Sequence, residues 1–577
     1  MIARVWAPTA EKVIIVAEGT ERLLTRSVAD DGWWLDDREL PIGTRYGFRL
    51  NDDDDVLYDP RGRSLPDGVH GISEVVDTTP LDVGDWAGRP LENAVLYELH
   101  IGTFTPAGTL DSAIARLDHL VELGIDFVEV LPVNSFNGEH NWGYDGVAWF
   151  AVQSSYGGPA AYRRFVTACH ERGLAVIQDV VYNHLGPSGN VLPRFGPYLR
   201  SDSRKPWGDT VDLTQPEVRR YVLDNARMWM QEYGVDGLRL DAVHALVDEG
   251  PVHLLQELAA QTDALAAELG RPLTLIAESD LNDPVMIEPR GAGYGLTAQW
   301  SDDYHHAVHV ALTGETDGYY ADFGSLGALA KAATRGFFHD GTYSSFRGRE
   351  HGRPIPPEVP TTRLVTFTQD HDQIGNRATG DRLSASLSVE RLRIAAVLTV
   401  CSPFTPMLFM GEEWGASTPW QFFTSHPEPE LAAATAQGRI EEFARMGWDP
   451  AVVPDPQDPA TFLRSKLDWG ELDRSRHREL LALYRELIAL RHREPEFADP
   501  RFDMLSADWD DAAGWFALRQ GDLEILVNLG GDTWSIPDAS ELLLATNPAV
   551  DADGRGVSLP PDSAAIVRRS AGNRSND

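Results

Sequence analysis

Ten residues, Gly237-Leu238-Arg239-Leu240-Asp241-Ala242-Val243-His244-Ala245-Leu246, place a cation and an anion two positions apart in an apolar run. In a strand, residues two apart share a face, so Arg239 and Asp241 point one way while Leu238 and Leu240 point the other. A guanidinium beside a carboxylate favours its ionised form, the state in which a carboxylate acts as a nucleophile. Taken alone, the stretch reads equally well as a structural ion pair. The same texture recurs, however. Apolar runs also close on Asp179-Val180-Val181-Tyr182-Asn183-His184, on Ala277-Glu278 and on Gln369-Asp370-His371-Asp372. Four apolar strands that each end in charged or polar groups point to one catalytic cluster rather than four separate strand caps.

Such groups converge when their strands run parallel around a barrel, whose catalytic residues gather at the C-terminal strand ends. From Leu91 onward strands alternate with helical stretches, the pattern of a parallel sheet with crossover helices. Eight strands are predicted: 94–101, 127–131, 174–181, 235–240, 273–277, 296–300, 364–367 and 407–410. A helix is expected over Thr109–Leu123, with Ile114, Leu117, Leu120 and Val121 on one stripe and Gly124 closing it. Thr214-Gln215-Pro216-Glu217 reads as a capping box opening a second helix that ends near Gly234.

The fold class is therefore α/β, a (β/α)8 TIM barrel over residues 91–497, with a lid insertion near 185–213 that is too long for a simple turn. Residues 1–90 read as a β-sandwich like a carbohydrate-binding module, and residues 498–577 as a C-terminal β-domain with a disordered tail from Ala571. In the N-terminal unit, Trp33, Trp34 and Tyr46 are either core or a sugar-stacking face, and core is the commoner fate of such rings.

Composition narrows the partners. The 577 residues include 88 acidic and 50 basic side chains, a net charge of −38, which repels nucleic acid and anionic membranes. The acidity also fits mere solubility. Cys169 and Cys401 are the two cysteines, which suits a reducing compartment and leaves no cysteine metal site. Residues 1–8 lack the basic-then-apolar pattern of a secretion signal, so a cytoplasmic location is expected. Ile394–Gly411 is uncharged but broken by Pro403 and Pro406, and reads as a buried helix leading into a barrel strand rather than a membrane span. The acidic run Asp52–Asp55 lacks the glycine and terminal glutamate of a helix-flanked calcium loop.

The four strand-end segments, in this order, resemble the conserved regions of the α-amylase family, glycoside hydrolase family 13. The resemblance implies a (β/α)8 barrel with flanking β-domains. It implies Asp241 as nucleophile, Glu278 as general acid/base and Asp372 as the carboxylate that grips sugar hydroxyls at the transition state. Arg239, His184 and His371 correspond to the residues that order the nucleophile and bind the same glucose. A retaining glycosidase needs two carboxyl groups about 5 Å apart, and adjacent fourth and fifth strands can supply them.

Further segments, Tyr97–Phe104, Asn141–Gly146, Ala277–Pro284, Gln299–His306 and Gly411–Trp414 leading to Thr418–Phe423, are similar to the branch of that family that acts on maltooligosyltrehalose and frees trehalose. By that likeness Tyr144 stacks on the glucose before the cut, Trp142 and Asp145 lie beside it, and His244, Ser279, Asp280 and Asp283 face the trehalose side. Two positions depart from the wider family. His244 stands where ordinary α-amylases carry lysine, and Asp370 where the family usually has asparagine. Asn183 sits where many amylases hold calcium, but no dedicated oxygen cage accompanies it, so neither metal nor cofactor is expected.

The implied functional partner is a maltooligosyltrehalose synthase acting just upstream. The alternatives are a branching or debranching enzyme, a plain α-amylase, or a catalytically silent barrel that only binds glucan. Retention of all three carboxylates speaks against silence.

Overall fold

The computed structural model describes residues 1–205, 208–445, 449–537, 539–552 and 556–569. The tail from Ala571 lies outside them. Eight parallel strands close into a barrel: β1 (Leu96–Leu99), β2 (Phe127–Val130), β3 (Ala175–Val180), β4 (Gly237–Leu240), β5 (Thr274–Ala277), β6 (Ala298–Trp300), β7 (Leu364–Thr366) and β8 (Thr405–Phe409). These strands are buried on both faces, one against the barrel interior and one against the surrounding helices, which is why they read as nearly unbroken apolar runs. The uncharged stretch begins in the buried second half of the helix Val389–Val400 and continues through β8. No helix among the described residues is long and apolar enough to cross a membrane.

Two local expectations change. The helix expected over 109–123 is two pieces, Leu110–Ile114 and Leu117–Leu123, with Thr109 capping the first and Gly124 (φ 95°) closing the second. The break at Ala115-Arg116 turns the second piece on its axis, so Leu117, Leu120 and Leu123 face the core and Val121 is exposed. The capping box at Thr214 does not form. Proline at the first helical position of Pro216–Gln231 has no N–H to satisfy, Thr214 Oγ1 donates to Asp212 instead, and Glu217 accepts from Trp33 Nε1 at 3.0 Å.

That last bond ties the barrel to the N-terminal unit, a three-stranded and a four-stranded antiparallel sheet. Trp33, Trp34 and Tyr46 are buried in its core and offer no sugar-stacking face. Between β3 and its helix, His184–Leu185, Leu199–Lys205 and Gly208–Val211 pair into a small sheet, with Leu192–Phe195 as a helical turn. Arg194 of that turn bonds the exposed acidic run, at 2.9 Å to Asp55 and also to Asp53.

The C-terminal unit is again two sheets. One runs in the order β9 (Leu505–Asp510), β10 (Trp515–Gln520), β11 (Leu523–Asn528), β16 (Ser563–Arg569), β13 (Ala539–Ala545); the other holds β12 (Trp534–Pro537), β15 (Gly556–Leu559) and β14 (Asp551–Ala552). Asp511 fastens it to the barrel by accepting from the Leu326 amide at 2.7 Å and the Ser325 hydroxyl at 2.8 Å.

The helix Ser475–Arg493 braces the barrel from outside, and Arg491 is among its fully buried side chains. Arg491 donates to the carbonyls of Val400, Ser402 and Phe404, at 3.0, 2.8 and 2.7 Å, and so holds the end of the helix before β8. Desolvation lowers its pKa to about 10, and these carbonyls compensate the buried charge. Arg491→Met, of similar length but without donors, is expected to lower the unfolding free energy by about 3 kcal/mol, read as a shift of the urea midpoint.

Candidate active site

Sheet register builds the centre of the site. Asp179 of β3 lies opposite Arg239 of β4, and Leu240 of β4 opposite Ala277 of β5. The ladder runs one step further: the Asp241 amide donates to Val180 O and the Glu278 amide to Leu240 O, both at 3.0 Å. Asp241 and Glu278 thus leave adjacent strands at the same height.

Arg239 is fully buried between them. Its Nη1 donates to Asp241 Oδ1 at 2.9 Å and to Asp179 Oδ2 at 2.8 Å, its Nη2 lies 2.9 Å from Glu278 Oε2, and the Trp300 ring covers it at 4.3 Å. Burial opposes the charge, yet the carboxylates around it raise its pKa well above the ordinary value. Asp179 moves to about 7, pushed up by burial and held back by Arg239. Glu278 Oε2 also accepts from the Ala242 amide at 2.7 Å. That donor is aimed by a left-handed backbone at Ala242, φ 39°, a conformation that costs a non-glycine residue of order 1 kcal/mol. Asn183 donates to Asp241 Oδ2 at 2.9 Å while its Oδ1 meets His184 Nδ1 at 2.6 Å, so both ends of its amide are engaged within the protein.

The third carboxylate arrives from β7. His371 and Asp372 open the short helix His371–Gly375, capped by Asp370, whose carboxyl accepts from the Gln373 amide at 2.6 Å. His371 is buried against Glu98 of β1, Nδ1 to Oε1 at 2.5 Å, and its Nε2 lies 3.7 Å from Asp372 Oδ2. Although burial disfavours its charge, Glu98 and then Asp372 hold the imidazole up at about 10. Asp372 itself is half-buried. Tyr144 lies parallel to His371, centroids 5.1 Å apart, and donates to Asp179 at 2.6 Å, while His184 Nε2 meets the Tyr144 carbonyl at 3.1 Å.

The remaining candidates form an outer ring or a support. Trp142 is buried, stacked on Trp420 at 5.3 Å and donating to Gln421 O at 3.0 Å, with its edge toward His371. Asp145 accepts from Asn141 at 2.5 Å. His244 Nδ1 lies 3.7 Å from Asp280, which is also held by Arg347 at 3.2 Å. Ser279 is buried and its hydroxyl accepts from the Leu281 amide at 3.3 Å. Asp283 caps a turn and pairs with Arg353, away from the central network.

Three further acids stand here: Glu129 of β2, buried opposite Glu98, as well as Glu98 and Asp302. Glu98 is the lone acid in an apolar strand, and Asp302 follows β6 by two residues, so the strand-end rule applied once more would have found it. Asp302 is raised to about 8 by burial and then by the negative charges of Glu278 and Asp280.

The arrangement suits glycosyl transfer: one carboxylate held by a guanidinium, a second on the neighbouring strand, a third across the cleft, and an aromatic face between them. The family model for the alpha amylase catalytic domain matches residues 63–204, and a domain of unknown function (DUF3459) matches 500–566. A malto-oligosyltrehalose trehalohydrolase of Rhizobium sp. (strain M-11) is 59% identical, covering 98% of this chain and 97% of its own length. Another, of Arthrobacter ramosus, is 60% identical over 98% of this chain and 99% of its own. A Salmonella typhimurium protein described as an alpha amylase superposes with a TM-score of 0.90 at 36% identity, covering 98% of this chain and 97% of its own.

Two outcomes are expected. Burial, and then the Glu98 carboxylate, raise Asp370 well above the carboxylate range, so it stands protonated and nearly isosteric with asparagine. Asp370→Asn should therefore keep kcat/KM within about twofold at neutral pH. The charged state of His371 contributes stability that is complete below about 6.5 and lost as pH climbs to about 10. Melting temperatures measured from pH 6.5 to 10 should fall, and fall less steeply in Glu98→Gln.

Proposed function

The chain belongs to the malto-oligosyltrehalose trehalohydrolase family, which hydrolyses the α-1,4 bond beside the terminal trehalose of maltooligosyltrehalose, and from that premise we propose how its side chains divide the reaction. Asp241 attacks the anomeric carbon of the glucose next to trehalose. The bond from that carbon to the trehalose oxygen breaks as Glu278 delivers its proton to that oxygen. Trehalose leaves, and a glucosyl ester on Asp241 remains. Water then gives a proton to Glu278 and its oxygen to the anomeric carbon, freeing Asp241 and a maltooligosaccharide with retained configuration.

The single observation that supports this division is the matched height of Asp241 and Glu278 on adjacent strands, with Arg239 touching both. Asp372, beside the His371 imidazolium, grips the hydroxyls of the reacting glucose and adds negative charge facing an oxocarbenium-like transition state. Tyr144, backed by His371, is the ring on which that glucose lies. His184 completes the pocket through the Tyr144 carbonyl. His244 and Asp280, which meet past β4 and β5, take the trehalose side, with Ser279 and Asp283 shaping the loop behind them. The pathway partner is a maltooligosyltrehalose synthase that makes the substrate. A cytoplasmic site of action is supported by two free, buried cysteines.

Purified protein incubated with maltotetraosyltrehalose should yield trehalose plus maltotetraose on chromatography, with little attack on maltohexaose. Equal cleavage of both, or new branches, would move the reaction to an amylase or branching enzyme. Asp241→Asn should lower kcat by on the order of a thousandfold or more while leaving substrate binding nearly unchanged.

A further inference from the structure

The C-terminal sheets carry an arrangement that the reaction does not use. Along β10, Trp515, Ala517 and Arg519 share one face, and the pairing with β11 sets Arg519 opposite Glu524. Glu524 is buried, yet it is the hub of a polar cluster. Its carboxylate accepts from Arg519 Nε at 3.1 Å, from Arg569 Nε at 2.6 Å and from Arg569 Nη2 at 3.0 Å. Arg519 Nη2 reaches on to Asp508 at 3.2 Å. Among the described residues neither guanidinium has a partner for Nη1. Next to this cluster Trp515 stacks on Trp534 of the second sheet, centroids 4.6 Å apart and planes within 11°. Both indoles are half-buried, and together these groups line an open cleft of about 400 Å³.

The chemistry of the cleft selects a ligand class. Two guanidiniums and two carboxylates sum to zero charge, so the cleft as a whole favours neither a cation nor an anion. Donors and acceptors fixed about 3 Å apart match vicinal hydroxyls, which both donate and accept. A stacked indole pair beside them matches the apolar C–H face of a pyranose ring. A buried carboxylate that locks two arginines from beneath spares the ligand the entropy of ordering them. We propose that this cleft is a second carbohydrate site. It holds a linear α-1,4-glucan segment, the maltooligosyl arm of substrate or product, with one sugar ring on the Trp515–Trp534 pair and adjacent hydroxyls on Arg519, Arg569 and Asp508. The choice of glucan over other neutral sugars rests on the reaction proposed above.

Calorimetric titration of maltoheptaose into the full chain tests this, with Asp241→Asn as background to prevent turnover. The Asp241→Asn chain should bind one equivalent more than either Asp241→Asn/Trp534→Ala or Asp241→Asn/Arg519→Gln. The second variant keeps both indoles and guards against misfolding of the first. In chains with Asp241 intact, Trp534→Ala and Arg519→Gln should each leave kcat/KM on maltotriosyltrehalose within about twofold of the native value. Equal stoichiometry in all three proteins would overturn the proposal. Loss of the extra equivalent in a protein whose native form releases no trehalose would leave the cleft standing and remove the reaction reading instead.

Discussion

A guanidinium with no access to water sits at the centre of this protein, and most of the catalytic end of the barrel follows from the need to compensate it. A buried charge is tolerated only where opposite charges and hydrogen bonds replace its hydration. Arg239 obtains them from three different strands: Asp179 on β3, Asp241 at the end of its own strand, and Glu278 past β5. Each contact requires the register observed between those strands. Slipping any one of them by a residue would turn its acid to the opposite face and strand the charge. The same group that holds Asp241 therefore also specifies the alignment of three barrel strands. Trp300, delivered by β6, covers its remaining face.

Around that cation the site gathers more carboxyl groups than could all be ionised in so small a volume, and local structure sorts them. Glu98 is matched by the imidazolium of His371. Asp370, one residue before that ring, is buried without a cation of its own and is held protonated. Asp302, crowded by Glu278 and Asp280, is shifted in the same direction. Burial raises the pKa of these acids, and a neighbouring cation opposes the rise, as Arg239 does at Asp179. An aspartate can thus stand where the wider family has asparagine with little change in local charge.

Much of this was legible in the sequence. All eight barrel strands were predicted within a few residues, because strands buried on both faces leave apolar runs that turns and charged ends delimit. The Arg239–Asp241 pair was legible from period-two geometry alone. What was not legible depends on contacts between distant segments. Trp142 is expected beside the glucose, and the packing on Trp420 that buries it has no local signal in the sequence. Thr214 has the spacing of a capping box, but Glu217 is taken by Trp33, about 180 residues earlier, through a bond no local pattern could announce. Glu98 was overlooked because its partner His371 lies 273 residues away.

The step by which Asp241 and Glu278 leave neighbouring strands has a consequence for how such an enzyme can change over time. Their backbones are spaced as hydrogen-bonded neighbouring strands are, about 4.8 Å apart, which starts the two carboxyl groups on the scale of the 5 Å or so that retention of configuration demands. The relative placement of the two acids is therefore a property of the sheet, inherited with the fold. The surrounding loops, with His244, Asp280 and Arg347, and the small sheet after β3 stand outside the β4–β5 ladder that positions the two acids. Loops can be lengthened, shortened or exchanged over generations to admit new sugars while the placement of the two acids stays fixed. Selection on such a scaffold explores what is cut far more freely than how it is cut.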